Sequence, residues 1–203
     1  MSELKTIYLV DDDSAVRHAL GTFRSGSGYH TLVYDCAEAF LESVDESACG
    51  VMVLDQRMSG MTGLELQQEL AQRGMNLPII FITGHGNVPL SVMAMKAGAM
   101  DFIEKPFSNE ILLANVQEAF SRLEDEKTQK RRKSAILGRY KLLTPREKEI
   151  LAHIVEGISN KDLAEKLQIS NRTIEVHRSR IMHKMQADSL PELVRMATLC
   201  DIT

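Results

Sequence analysis

Three things are scarce in this 203-residue chain, and each scarcity removes a class of protein. No apolar run approaches the roughly 18 residues that a bilayer span needs, so a membrane protein is not expected. Glu3 and Lys5 stand immediately before the first apolar stretch, and no secretory leader is expected there. Cys36, Cys49 and Cys200 are odd in number and show no CxxC spacing. They are expected to be reduced thiols in a cytoplasmic protein, neither disulfides nor metal ligands. What remains, 44% hydrophobic and 26% charged residues, is enough for one large or two modest globular domains.

Charge divides the chain. Residues 1–120 hold 7 Lys/Arg against 16 Asp/Glu, giving −9, whereas 121–203 hold 17 against 12, giving +5. An acidic domain joined to a segment that meets a polyanion is one reading of such a split. Residues 121–139 alone carry 7 against 3, however, and the last 64 are nearly neutral. Local placement, not bulk charge, has to identify any DNA contact.

The stretch Val51-Met52-Val53-Leu54-Asp55 organises the first part. Four apolar residues in a row are the pattern of a strand buried on both faces, and the run ends in a carboxylate. Similar short runs lie at 7–10, 30–34, 78–83 and 100–103. Helical patterns follow each, over about 14–23, 37–44, 64–72, 89–96 and 109–123. Alternation of this kind predicts a doubly wound, five-stranded parallel sheet. In such sheets ligands gather outside the carboxyl ends of the strands. Those ends carry Asp11 and Asp12, Asp55, Thr83 and Lys105.

Three carboxylates in one crevice repel one another unless a cation is present. A pocket of hard oxygens suits Mg²⁺ or Mn²⁺. With the Lys105 ammonium and the Thr83 hydroxyl, such a cation matches the oxygens of a phosphoryl group, and a carboxylate can act as acceptor. A lone strand-end aspartate is more often a turn cap; four strand ends with complementary groups are not explained that way.

These residues resemble the receiver domain of two-component response regulators over the whole of 1–120. The runs Thr83-Gly84-His85-Gly86-Asn87-Val88-Pro89 and Phe102-Ile103-Glu104-Lys105-Pro106-Phe107 are similar to its FixJ branch. The resemblance implies a flavodoxin-like fold and a role for each position. Asp55 would be the phosphoacceptor. Asp12, Asp55 and the backbone carbonyl of Arg57 would be metal ligands, and Asp11 would hold a metal-bound water. Lys105, before a cis bond to Pro106, would bind a phosphoryl oxygen. Thr83 and Phe102 would form the switch, and Val92 and Lys96 would lie at a receiver–receiver contact. Ser59 stands where most receivers carry proline, so a looser loop after Asp55 is expected, with an altered phosphoryl lifetime.

Residues 123–139 read as a charged linker that extends the last receiver helix until Gly138 breaks it. The run Lys130-Arg131-Arg132-Lys133 reads as a solvated tether. Beyond it, Thr144-Pro145-Arg146-Glu147 is a capping box with proline at the first helical position. Helices are expected from there to Gly157, from Ser159 to about 167, over 171–185 and over 191–199. The second and third form a helix-turn-helix candidate. On the third, Ile174, His177, Ile181 and Met185 make the buried stripe. Glu175, Val176 and Ser179 then point outward toward base edges, with Lys161, Thr173, Arg178 and Lys184 as phosphate contacts.

Leu143-Thr144-Pro145-Arg146-Glu147, Gly157-Ile158-Ser159-Asn160-Lys161 and Thr173-Ile174-Glu175-Val176-His177-Arg178 resemble the LuxR-type DNA-binding domain. Together with the receiver they place the chain in the NarL/FixJ group. The expected organisation is a receiver at 1–122, a linker at 123–139 and a four-helix DNA-binding domain at 140–203. The resemblance implies a sensor histidine kinase, promoter DNA and RNA polymerase as partners, with a homodimer on phosphorylation. The chemistry serves the switch, so the chain is not expected to be an enzyme in its own right. Output through RNA or protein binding is the alternative. An aspartyl-phosphate phosphatase would need a second acid two residues past the nucleophile, where Arg57 stands.

Overall fold

A computed structural model describes residues 5–21, 28–84 and 88–202. They fall into two compact units, Met1–Glu124 and Asp125–Thr203. The expected helix end near 23 and the closure of the fourth strand by His85 and Gly86 lie outside the described residues.

In the first unit the chain alternates β1 (Lys5–Val10), α1 (Ser14–Gly21), β2 (Tyr29–Tyr34), α2 (Ala37–Ser43), β3 (Val51–Asp55), α3 (Gly63–Gln72), β4 (Ile79–Thr83), α4 (Val88–Lys96), β5 (Asp101–Glu104) and α5 (Asn109–Lys141). All five strands are parallel in the order β2-β1-β3-β4-β5. Period-two alternation sends Tyr8, Val10, Met52, Leu54 and Phe81 to one face, against Phe40, Leu66, Leu70 and Ala94. Ile7, Leu9, Val51, Val53, Ile80 and Ile82 go to the other, against Leu20, Leu112, Val116 and Ala119. Every residue of β3 is buried, and each large apolar side chain there stabilises by about 1.5–3 kcal/mol. Strand order reverses between β1 and β3, so the carboxyl ends of these neighbours open one crevice.

Local details differ from expectation where a side chain found a better partner. α1 begins at Ser14 as read, and it is the Asp13 carboxylate that takes the Ala15 N–H at 2.8 Å. α3 begins one residue earlier than read, under a capping box between Thr62 and Glu65. β5 is shifted by one residue, because Met100 N–H is used on Ile79 O at 2.8 Å. Gly138 does not end α5, which runs to Lys141.

The second unit holds the remainder of α5 and α6 (Pro145–Val155), α7 (Asn160–Leu167), α8 (Asn171–Met185) and α9 (Leu190–Leu199). Thr144, Ser159, Ser170 and Ser189 cap the four shorter helices. Their apolar faces close over Ile150, Leu151, Leu163, Ile174, Ile181, Met185, Leu193 and Ala197. Between α7 and α8 the chain turns through Gln168 in the left-handed region (φ 54°).

Candidate functional site: a carboxylate cluster and an exposed helix face

β1 delivers Asp11 and Asp12 to the crevice, β3 delivers Asp55, β4 delivers Thr83, and Lys105 follows β5. Asp11, Asp55 and Thr83 are buried, Asp12 is exposed, and Lys105 reaches in from the rim. The Lys105 ammonium donates to Asp11 Oδ2 at 2.7 Å and to Asp55 Oδ1 at 2.8 Å. The Lys105–Pro106 bond is cis.

One lysine faces three carboxylates, and one oxygen from each of Asp11, Asp12 and Asp55 lies within 4.8 Å of the others. Burial raises the Asp55 pKa above its ordinary value, with a further push from Asp11, despite the opposing bond from Lys105. Burial works to lower the Lys105 pKa, but bonds to Asp11 and Asp55 outweigh it and hold it up. The site therefore carries more negative charge than its one ammonium balances. Its donors are all hard oxygens, the set that fits a hard divalent cation.

The loop after Asp55 is tied at every second residue. Arg57 N–H donates to Asp55 Oδ2 at 2.8 Å, Ser59 N–H to Asp12 Oδ2 at 2.9 Å and Met61 N–H to Glu38 Oε1 at 3.1 Å. Gly63 N–H then reaches Gln56 O at 3.2 Å. At Ser59, where a looser loop was expected, the N–H is a used donor that proline lacks. Only glycine fits at 63, where a Cβ would meet Asp55 O at 2.5 Å and the Phe81 ring at 2.9 Å. The sequence reading missed Ser59 N–H, Glu38 and the Thr62–Glu65 box; only the last had a visible signal, T-x-x-E.

Thr83 is buried at the end of β4, and half-buried Phe102 packs beside Phe81 with ring centroids 6.0 Å apart. On α4, Val92 and Lys96 are exposed, as are Met93 and Met95, which the sequence reading did not name.

In the helical unit Glu175, Val176 and Ser179 lie exposed on α8, and Lys161 is exposed on α7. Three other residues face different work. Thr173 Oγ1 shares a 2.8 Å hydrogen bond with Ser170 Oγ at the helix start. Arg178 donates to Asn160 Oδ1 at 2.8 Å, linking α8 to α7. Lys184, expected to meet DNA phosphate, instead donates to Glu147 Oε2 at 2.7 Å and to Leu142 O at 3.3 Å. This pairing gives the Lys184 charge a partner within the unit. Burial opposes ionisation of Glu147, but bonds from Lys184 and Thr144 hold its pKa below the ordinary value. His177 is half-buried, with Nδ1 lacking a partner among the described residues, so the stripe is three buried residues and one partial one.

Comparison with known proteins agrees with this geometry. Residues 7–117 match the response regulator receiver domain, and 141–197 match the bacterial regulatory proteins of the luxR family. The chain is 43% identical over 192 residues to the transcriptional regulatory protein FixJ of Rhizobium meliloti (strain 1021), covering 95% of this chain and 94% of that one. It is 42% identical to the response regulator protein TmoT of Ectopseudomonas mendocina, covering 94% and 86%. Among solved structures, the response regulator StyR superposes with a TM-score of 0.79 at 36% identity, covering 97% and 99%. Full-length FixJ from B. japonicum gives 0.62 at 40%, covering 98% of each chain. The chain belongs to the response-regulator family, as a receiver domain joined to a luxR-family DNA-binding domain, the build of phosphorylation-controlled transcriptional regulators.

Proposed function

We propose that Asp55 accepts a phosphoryl group from a sensor histidine kinase, and that this event controls how α8 engages promoter DNA. The observation that carries the reading is the Lys105 ammonium held between Asp11 and Asp55 beside the third carboxylate, Asp12.

An Asp55 oxygen attacks phosphorus; the phosphorus–nitrogen bond of the donor phosphohistidine breaks, and that nitrogen keeps the electron pair and takes up a proton. A divalent cation, Mg²⁺ or Mn²⁺, would supply neutralisation of the phosphoryl oxygens. Asp12, Asp55 and the Arg57 carbonyl would hold it, with Asp11 reaching it through water. Lys105 changes partners, from the Asp55 carboxylate to a phosphoryl oxygen, and keeps its bond to Asp11. Thr83 turns toward the phosphoryl group, and Phe102 takes the space it leaves. That movement reshapes the surface of α4, where exposed Val92, Met93, Met95 and Lys96 form the patch for a symmetric receiver dimer.

Glu175, Val176 and Ser179 read base edges, and Lys161 contacts phosphate. Arg178 keeps guanidinium N–H groups for phosphate beyond the one that it gives to Asn160. RNA polymerase is the expected downstream partner and the cytoplasm the expected location. Among the described residues no helix is long and apolar enough to cross a membrane.

Acetyl phosphate with Mg²⁺ tests the reading. The wild type should become labelled and Asp55→Asn should not; undiminished label on Asp55→Asn removes Asp55 as the acceptor.

A further inference from the structure

The three carboxylates of the crevice are not held alike. Asp11 is fixed twice, by Lys105 on Oδ2 and by the Asp13 N–H on Oδ1 at 2.8 Å. Asp55 is also fixed twice, by Lys105 on Oδ1 and by the Arg57 N–H on Oδ2. Both backbone donors lie two residues further along the chain, so any sequence folding into these turns provides them. Asp12 receives nothing from Lys105 and nothing from its own turn. Among the described residues its carboxylate has one hydrogen bond, from the N–H of Ser59, 47 residues away.

We infer that the backbone N–H of Ser59 is the positioning group of Asp12: it holds one carboxylate oxygen so that the other faces the crevice and a divalent cation. This rests on the reading of the cluster as a metal-binding phosphoryl site. Asp12 is exposed, with two side-chain torsions that no other hydrogen bond among the described residues restrains. Binding a cation from a free rotamer population requires ordering it first, and a hydrogen bond to the non-ligating oxygen does that ordering in advance. The loop is built to present the donor. Arg57 and Met61 N–H groups on either side go to Asp55 and Glu38, and the N–H of residue 59 falls between them, aimed at Asp12 just past β1. Gly60, at φ 83°, makes the bend that follows. The Ser59 hydroxyl is not part of the argument; any residue except proline supplies the same donor. Ser59 is therefore a specificity-neutral residue whose backbone bears on metal affinity.

Two substitutions in the full-length protein separate backbone from side chain, read by calorimetric titration with Mg²⁺ alone. Ser59→Ala keeps the N–H and should bind Mg²⁺ as the wild type does. Ser59→Pro removes the N–H and should weaken Mg²⁺ binding about tenfold, the low end for loss of a group that orients a ligand. Asp12→Ala in the same series should lose most of the affinity. If Ser59→Pro perturbs the fold, as judged by circular dichroism and melting, an α-hydroxy acid replacing Ser59 deletes the N–H while keeping the side chain. That ester variant should show the same weakening. Equal Mg²⁺ affinity for wild type and whichever folded N–H-deleted variant is measured overturns the inference, as does an equal loss in Ser59→Ala. A wild type that binds no Mg²⁺ overturns the metal reading on which the inference stands, and is distinct from both.

Discussion

At the edge of the parallel sheet one ammonium, Lys105, stands between two buried carboxylates with a third nearby. In the helical unit Lys184 faces the single buried carboxylate of Glu147, which is also fed by the Thr144 N–H at 2.8 Å. The components are the same and the balance is different. Glu147 accepts on Oε2 from both Lys184 and the Thr144 N–H, and its pKa lies below the ordinary value; Asp55 keeps a raised one beside the same kind of partner. A buried charge that is matched one to one is a fastening between α6 and α8. A cluster left with excess negative charge is unstable by itself and is stabilised by a cation. The imbalance is what distinguishes a site from a structural pair.

The largest expected effect separates the units by surface rather than by core. Phosphorylated wild type should elute at a higher apparent mass, and Val92→Asp should abolish that rise while leaving the DNA-binding unit folded. A phosphorylated protein that stays monomeric at micromolar concentration contradicts the α4 contact.

The charge balance itself comes next. Lys184→Ala strands Glu147 and should destabilise the helical unit by about 2 kcal/mol. Asp11→Asn relieves repulsion and, without added metal, should stabilise the sheet unit by about 1 kcal/mol. Urea unfolding followed by resolved amide resonances of each unit reads both. If the two substitutions shift stability in the same direction, the distinction between matched and unmatched charge fails.

On DNA, Glu175→Ala should lose about 1–3 kcal/mol of discrimination at one base pair and bind other DNA no worse. Lys161→Ala should weaken all sequences alike and flatten the salt dependence by about one charge. Lys184→Ala should leave that slope unchanged, because its ammonium is held by Glu147. A changed slope would return Lys184 to the DNA surface.

The smallest effect is in acid. Glu147 has a depressed folded pKa, so its stabilisation is full above the ordinary value of 4.5 and is lost as pH falls through the folded value below it. Asp55 has a raised folded pKa, so its unfavourable charge is present above that value and is relieved as pH falls through it, in a window above 3.8. Comparing acid unfolding of Glu147→Gln and Asp55→Asn with wild type should show opposite signs for the two units. The same sign for both would contradict the assigned shifts.

The sheet was readable because each apolar run ends in a polar residue. Asp11, Asp55, Thr83 and Lys105 each mark a strand's carboxyl end, and that edge is the site. α8 was readable for a different reason, since Ser170 caps it and Ile174, Ile181 and Met185 recur on its buried side. Gly138 misled, because a helix-interior glycine costs only about 1 kcal/mol. Buried Ile136, the Arg139 bond to Met185 O at 3.3 Å and Lys148 over the Tyr140 ring at 4.8 Å hold the flanks against that cost. The partner of Lys184 was not readable because helical spacing gives a direction but not a partner, and Glu147 lies 37 residues away. The Ser59 N–H was invisible for a related reason: its importance depends on Asp12, which only the fold brings to it.

Trapping the phosphoryl group tests the central claim most directly. Full-length protein treated with acetyl phosphate and Mg²⁺, reduced with borohydride and cleaved to peptides should carry the reduced residue at Asp55 alone. A reduced residue at Asp11, Asp12 or elsewhere, with Asp55 intact, contradicts the account.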